Sequence, residues 1–502
     1  METETESDTN SPESGNEDSE EDVGRKMTSF ELCSNVLISL TGTVVLGIGS
    51  KMQQGGWVMT PLMLVVGTAV ISEMVWVVST TIDNTTTKDR PAPRSYKEYI
   101  GLALGRPGEL VSAVTSTFSL FSMICGGLIV LAQNMEAIMP LPQAWGDGQK
   151  WWALFLTAET LVFVFVDIGD LLDKAAWLGP FVTAGVFIMV FWGCANALLA
   201  KAEIPEACIP SAEYTSMWTA HGFGDGMLSL AQLGSYSIFV FAIVVTVPTL
   251  KSQTAKPRRV VHMSLLAFAI ATMLFVALMV TYYAAFGNIG PENVIQGMKT
   301  DRPAGWWATV EPWRTGKETH LGKILATLVN VHLCLSDVVY VGCTVVAFEA
   351  LFPRKYRHGW RVWITVRVFI TVARTLVATL ITSFTTLSSL TGSLFVVLNN
   401  ILLPILGFWA VGGSKAAGPG RMLAHAIMFT FAVYMVGAGT WGSIQNLVTH
   451  AHNPPKIGCF PRPGISEACK AAYVSAGGSA ARPSAAQSAP SNAARTAAAP
   501  PA

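Results

Sequence analysis

Charged residues are scarce in this chain of 502 residues: Asp, Glu, Lys and Arg make up 13% of it, against about a quarter in a soluble domain. The 33 basic and 33 acidic residues cancel. No basic stripe or aromatic-basic interleaving runs through them, which excludes a nucleic-acid partner. The eight cysteines contain no Cys-x-x-Cys pair and no metal-ligand spacing, so no metal site is expected. Cys125, Cys194, Cys334 and Cys343 lie in apolar runs, where a thiol behaves as a small hydrophobe. Cys208, Cys459 and Cys469 lie in polar segments and would pair only in an oxidising lumen. No phosphate-cradling Gly-x-x-x-x-Gly-Lys-Ser/Thr loop occurs, which excludes an ATP-driven motor on this chain. The polar segments are too short and irregular for a catalytic domain, so no enzyme is expected.

What the chain has is apolar length: 51% of it is hydrophobic, and a run of about 20 such residues crosses the hydrocarbon core as a helix. Reading runs between polar breaks gives about eleven spans at that threshold. They are Leu32–Ser50, Trp57–Thr80, Leu110–Met139, Trp151–Val166, Ala175–Leu199, Gly226–Leu250, Val261–Phe286, Leu321–Leu351, Val362–Phe384, Leu390–Val411 and Met422–Val448. None alternates strictly, which argues against a β-barrel. The fold class is therefore an all-α integral membrane protein with the lipid bilayer as its solvent. The membrane domain spans residues 31–450. Residues 1–30 form an acidic Ser/Thr/Asn-rich tail without an apolar signal core, and 451–502 turn into an Ala/Pro/Ser low-complexity tail.

Basic residues orient the spans. Arg25 and Lys26 precede the first, Lys88, Arg90, Arg94, Lys97 and Arg106 follow the second, Lys251, Lys256, Arg258 and Arg259 follow the sixth, and Arg354, Lys355, Arg357 and Arg361 follow the eighth. The alternate loops are poorer, with Lys51, Lys150 and Lys201 after spans one, three and five. The amino terminus is thus expected in the cytosol and the carboxyl tail on the far side. Asn84-Thr-Thr matches a glycosylation acceptor but falls in a loop expected to be cytosolic.

The first span carries Gly42, Gly47 and Gly49 in one apolar run, each weakening a helix by roughly 1 kcal/mol relative to Ala. Two readings stay open: close helix packing through small residues, or a helix broken at mid-membrane to expose backbone donors and acceptors to a ligand.

Several motifs then fall in one order. Gly42-Thr43 through Gly47, followed by Gln54-Gly55-Gly56-Trp57, resembles the first-helix signature of the amino acid/auxin permease family. Phe239-Val-Phe241 to Pro248-Thr-Leu is similar to that family's sixth helix, and Tyr282-Tyr283-Ala-Ala-Phe286-Gly287 to its Tyr-x-x-Phe-Gly motif. Ala347-Phe348-Glu349, Phe384 with Ser389-Leu390-Thr391-Gly392, Leu403-Pro404, and the Tyr96 to Gly108 loop segment follow suit. The resemblance runs from Leu32 to Val448. It implies a LeuT-type five-plus-five inverted repeat with one additional helix, carrying amino acids by alternating access with a proton or sodium as coupling ion. It also implies a plasma-membrane or endomembrane location of the vacuole or lysosome kind. Gly49 stands where the family has a proline, Val44 where it has a second glycine, and Ala242-Ile243-Val244 where it often has Gly-Gly-His.

By that resemblance the substrate seat is Thr41, Gly42, Thr43, Val44, Val45 and Leu46 opposite Phe239, Phe241, Ala242, Ile243 and Val244. Unwound N–H groups there would hold a carboxylate and carbonyls an ammonium. Phe121, Ser122 and Cys125 of the third span would read the side chain, against the plainer reading of ordinary packing. Asp337 lies near the centre of the eighth span with His332 five residues before it, and Arg374 lies mid-span in the ninth. A bare carboxylate at that depth costs roughly 2.5–3.5 kcal/mol. Asp337 therefore either exchanges a proton or cation, or pairs with Arg374 to lock two helices. Glu73 is a second gating or coupling candidate, while Glu159 is expected to pair locally or face water. The leading reading is a secondary amino acid carrier. The alternative is a non-transporting amino acid sensor that keeps the fold and signals through its tails.

Overall fold

A computed structural model of the chain describes residues 27–41, 44–87, 92–142, 145–165, 179–202, 217, 223–287, 293–297, 320–352, 359–381, 383–413 and 417–452. Residues 1–26 and 453–502 of the predicted tails, the Asp167-to-Lys174 segment, and Cys208, Cys459 and Cys469 lie outside these residues. The tail boundaries at 30 and 451 are corrected by a first helix that starts at Ser29 and a last helix that runs to His452. Apart from isolated bridges such as Met27 to Thr254, regular structure among them is helical.

Numbered by span, the helices are α1a (Ser29–Thr41) and α1b (Val44–Gly47), α2 (Met52–Thr85), α3 (Tyr96–Ile138), α4a (Gly148–Phe155) and α4b (Thr157–Phe165), and α5 (Gly179–Ala202). The second half holds α6a (Phe223–Val240) and α6b (Val247–Gln253), α7 (Val260–Phe286), α8 (His320–Glu349), α9 (Trp360–Leu380), α10a (Phe384–Thr391) and α10b (Leu403–Ala410), and α11a (Pro419–Tyr434) and α11b (Thr440–His452). Eight helical segments among the described residues are long and apolar enough to cross a membrane. The first span is described on either side of Gly42 and Thr43, and the fourth as α4a and α4b on either side of Leu156. The eighth is the continuous helix α8, with apolar stretches Lys323–Cys334 and Tyr340–Glu349 on either side of Asp337.

Local chemistry sets the ends. Thr28 and Glu31 form a reciprocal capping box before α1a, with bonds of 2.8 and 3.3 Å. Ser95 caps α3 by accepting from the Glu98 amide, and Ser383 caps α10a by accepting from Thr386. Gly56 (φ 63°) and Gly105 (φ 71°) bend α2 and α3 through a left-handed step that only glycine adopts readily. The Tyr96 to Gly108 segment, expected to be a loop, is therefore helix up to and past that bend.

The helices pack as two groups. α2, α6 and α7 touch one another and α1 lies against α7; α3, α4, α8 and α9 touch one another; and α5 and α10 bridge the groups. The pairs have an internal order. Exchanging each of the first five helix numbers with the number five higher turns α1–α7 into α6–α2, α3–α9 into α8–α4, α3–α4 into α8–α9, α5–α8 into α10–α3, α5–α7 into α10–α2 and α1–α5 into α6–α10, and all of these contacts occur. The same exchange returns α2–α7, α3–α8 and α4–α9 to themselves, and these occur too.

At one end of the bundle, Met27 bonds through its backbone to Gln253 and Ala255 at 3.0 Å. There Thr249 donates to the Arg94 carbonyl at 3.1 Å, and Lys251 reaches Asp83 at 2.6 Å. The basic segments around the first, second and sixth spans thus share an end. α3 runs from there to the opposite end, where Trp145, Trp151 and Phe155 cluster with ring centroids 5.6 to 6.4 Å apart. Such aromatics favour a membrane–water boundary.

Candidate functional site

The sixth helix is interrupted, and the first is described as two parts on either side of Gly42 and Thr43. α1a ends at Thr41, whose hydroxyl donates to the Leu37 carbonyl at 3.1 Å, and helix resumes at Val44. Gly42 and Thr43, placed by sequence at the centre of the seat, lie outside the described residues. Val44 and Val45 are buried, and Leu46 belongs to α1b. Beyond α1b the backbone tightens into a 3-10 turn at Gly49–Lys51. Of the two readings of the glycines, close packing is visible at Gly47 and Gly49, while a break at Gly42 lies outside the described residues. A Cβ on Gly49 would lie 2.5 Å from the Tyr282 ring, and one on Gly47 3.2 Å from Phe384.

α6a stops at Val240, and Phe241, Ala242 and Ile243 carry the chain across to a 3-10 turn at Val244–Thr246 before α6b. The break has a specific support. The Val244 N–H donates to the Asn400 Oδ1 at 2.9 Å, and Asn400 Nδ2 donates to the Val396 carbonyl at 2.9 Å. Asn400 sits in α10 between α10a and α10b, where two π-helical turns run through Gly392–Val396 and Leu398–Leu402. Such turns leave carbonyls outside the regular ladder and often mark functional positions. Neighbouring Asn399 accepts from Thr115 at 2.6 Å through its side chain and from the Tyr96 hydroxyl through its carbonyl. α10 therefore ties the α6 break to α3.

The aromatics of the break pack in an ordinary way. Phe241 is fully buried edge-on between Phe268 and Phe275 of α7, with centroids at 5.8 and 6.2 Å. Phe239 stacks beside Tyr236 at 6.4 Å. Ile243 and Val244 are buried and Ala242 is half-buried.

Lys51, expected as a loop charge after the first span, is corrected by the structure: it is only 2% exposed. Its ammonium donates to Ser389 of α10a at 3.0 Å and lies 4.9 Å over the Tyr236 ring of α6a. A cation thus joins the turn after α1b to α6a and to α10a. Phe384 is a second residue missed from the site. Its ring lies between Gly47 of α1b and Gly126 of α3, where added Cβ atoms would approach to 3.2 and 3.1 Å.

On α3, Phe121 packs edge-to-face on Phe348 of α8 at 5.9 Å, and the Ser122 hydroxyl bonds its own helix at Phe118. Cys125 is fully buried beside the Asp337–Arg374 pair. What α3 turns toward α1b is the backbone at Gly126.

Asp337 and Arg374 are ion-paired, and Arg374 is fully buried. Arg374 also donates through Nε to the Ile124 carbonyl at 2.9 Å and through Nη1 to Thr160 at 2.7 Å. Of the two readings of Asp337, the geometry matches the helix-locking pair. His332 is buried on the same helix. Arg367 pairs with Glu349, donates to the Val164 carbonyl at 3.0 Å and lies 4.2 Å over Trp363. Glu73 is held by α11, accepting from Arg421 at 2.7 and 3.0 Å and lying 2.9 Å from His425 Nε2. Arg421 in turn lies 3.3 Å over Trp76. Among the described residues no group of three or more His, Cys, Asp or Glu is placed to hold a metal ion.

Comparison with known proteins follows the same lines. Residues 25–447 match the family described as transmembrane amino acid transporter protein. The amino acid transporter AVT1I of Arabidopsis thaliana is 20% identical over 454 residues, covering 87% of this chain and 99% of that one. Among solved structures, MhsT in complex with L-phenylalanine superposes with a TM-score of 0.49 at 11% identity, covering 84% of this chain and 98% of that chain. Mhp1, a nucleobase-cation-symport-1 family transporter, gives 0.46 at 12% identity, covering 89% and 96%.

Proposed function

This chain belongs to the transmembrane amino acid transporter protein family, and from that membership we propose that it moves amino acids across a membrane by alternating access, coupled to protons. The observation that carries the mechanism is the interruption of the sixth span at Phe241–Ile243, in a bundle whose helix contacts interchange under a shift of five spans. That pattern supports a five-plus-five inverted repeat of the LeuT type with an eleventh helix added, and in this reading the first span is interrupted at Gly42–Thr43. A shift of five, an odd number, makes the two repeats run in opposite senses through the bilayer.

In this reading the amino acid lies between the two breaks. Backbone N–H groups of the interrupted segments face its carboxylate, and carbonyls face its ammonium. Lys51 contributes positive charge beside the seat, and its bond to Ser389 holds α1b against α10a. Phe384 closes the seat between α1b and α3. α10 is the element that senses both breaks, through Asn400 at α6 and Phe384 at α1b. The gathering of Met27, Asp83, Arg94 and Lys251 at one end supports a cytosolic amino terminus, by the excess of basic residues there.

The test is uptake. The purified chain in proteoliposomes, given each labelled amino acid in turn under an inward proton gradient, takes up at least one saturably and faster than without the gradient. Binding without uptake across that panel would contradict the carrier and favour the sensor.

A further inference from the structure

Glu159 departs most from its sequence reading, which has it pairing locally or facing water. It lies on α4b, both carboxylate oxygens are buried, and among the described residues no N–H or O–H donates to either, while the weakly donating Cys334 thiol of α8 faces it. The cations in reach are committed elsewhere. Arg374 gives Nη2 to Asp337, Nε to the Ile124 carbonyl and Nη1 to Thr160, the residue next to Glu159. Arg367 of α9 gives its guanidinium to Glu349 and to the Val164 carbonyl at the end of α4b. The groups that face Glu159 from its neighbours are Cys334 and Asp337 of α8 and Arg374 of α9. α3 contributes Cys125 and the Ile124 carbonyl to the cluster, and His332 lies further along α8. On α4a, Lys150 is at the exposed end, 3.6 Å from Asp147.

The charges in this cluster do not balance. Two carboxylates and one guanidinium sit in the interior, and Asp337 already cancels Arg374. A second desolvated carboxylate with only a thiol donor costs several kcal/mol as an anion. As a neutral acid it costs far less.

We propose that Glu159 is the site that takes up and releases the coupling proton of this carrier, with Asp337 and Arg374 as the fixed charged pair beside it. The inference rests on the proton-coupled reading above and names the residue that performs it. In the conformation described here, the proton is on a Glu159 oxygen and the cluster is neutral. On release, the O–H bond breaks, the proton leaves to water, and the electron pair stays as carboxylate charge. The anion then competes with Asp337 for Arg374, whose Nη1 is already on the adjacent Thr160. Shifting that guanidinium loosens α9 from α8 and changes how the α3, α4, α8 and α9 group packs. A groove of about 710 Å³ between α4 and α9 has Asp147 and Lys150 at one end and Thr157, Thr371 and Thr375 along it. The Thr157 and Thr375 hydroxyls are 2.8 Å apart. The groove is otherwise walled mainly by Trp145, Trp151, Leu154, Val372 and Leu376, and its Thr157 lies two residues before Glu159 on α4b.

The test uses the full chain in proteoliposomes, a labelled equimolar mixture of the twenty amino acids, and a trapped pH-sensitive dye. Wild type accumulates label down an inward proton gradient and acidifies the lumen when substrate is added. Glu159→Gln, which mimics the protonated acid, keeps exchange of internal for external substrate. Its gradient-driven accumulation falls to simple equilibration and the dye signal disappears. Wild-type accumulation and dye response in Glu159→Gln would overturn the assignment while leaving proton coupling intact. Transport by the wild type with no proton movement would overturn proton coupling itself and this assignment with it. Should Glu159→Gln fail to fold, Glu159→Asp decides: the shortened acid shifts the pH of half-maximal uptake, and a profile superimposed on wild type overturns the proposal.

Discussion

Arg374 is held on all three of its nitrogens by three different helices, through Ile124 of α3, Thr160 of α4b and Asp337 of α8. Removing one partner of such a buried pair leaves the other charge stranded, at about 3–5 kcal/mol. Asp337→Asn should therefore lower the thermal unfolding midpoint in detergent sharply. The joint change Asp337→Leu with Arg374→Met should recover most of that loss, because apolar residues of similar volume often replace an ion pair at little cost. An unchanged midpoint in Asp337→Asn would remove the pair from the scaffold. At this scale the sequence was informative about which charges lie in the membrane and poor about their partners. Asp337 opposite Arg374 was legible from two mid-span charges of opposite sign. Lys51 was not: a lone lysine followed by Met-Gln-Gln-Gly-Gly reads as a loop, and only the fold brings Ser389 to it across 338 positions.

Among the elements, the sixth helix shows why a break can hide in sequence. Phe241, Ala242 and Ile243 are ordinary apolar residues, with neither glycine nor proline to mark an interruption. The support comes from Asn400, 156 positions away, whose side chain replaces the missing helical partner of the Val244 N–H. In the first helix, packing against Phe384 and Tyr282 explains Gly47 and Gly49. Span existence was legible because a bilayer demands long apolar runs. Span ends were less so, since α2 and α3 continue through the bends at Gly56 and Gly105. An unmet buried N–H costs about 1–3 kcal/mol, so Asn400→Leu should slow uptake about tenfold or more while the protein still elutes as a folded species. Full uptake in Asn400→Leu would show that the α6 break holds its shape without α10.

For the whole molecule, the account joins three observations: a sixth helix interrupted at Phe241–Ile243, a contact pattern that interchanges under a shift of five spans, and membership of an amino acid transporter family. Tight small-residue packing around α6a, at Gly67, Gly392 and Gly439, leaves the helix little room except at its break. Motion there, with α10 in contact with the α6 break and with α1b, is what alternating access requires. The most direct measurement is substrate protection. Val45→Cys and Ala242→Cys are each alkylated with and without the amino acid identified by uptake, and modification is read peptide by peptide in a mass spectrometer. Slower alkylation at both positions with substrate present, and an unchanged rate at Cys343, is the result predicted. Equal rates at both positions with and without a transported amino acid would contradict a seat between the two broken helices.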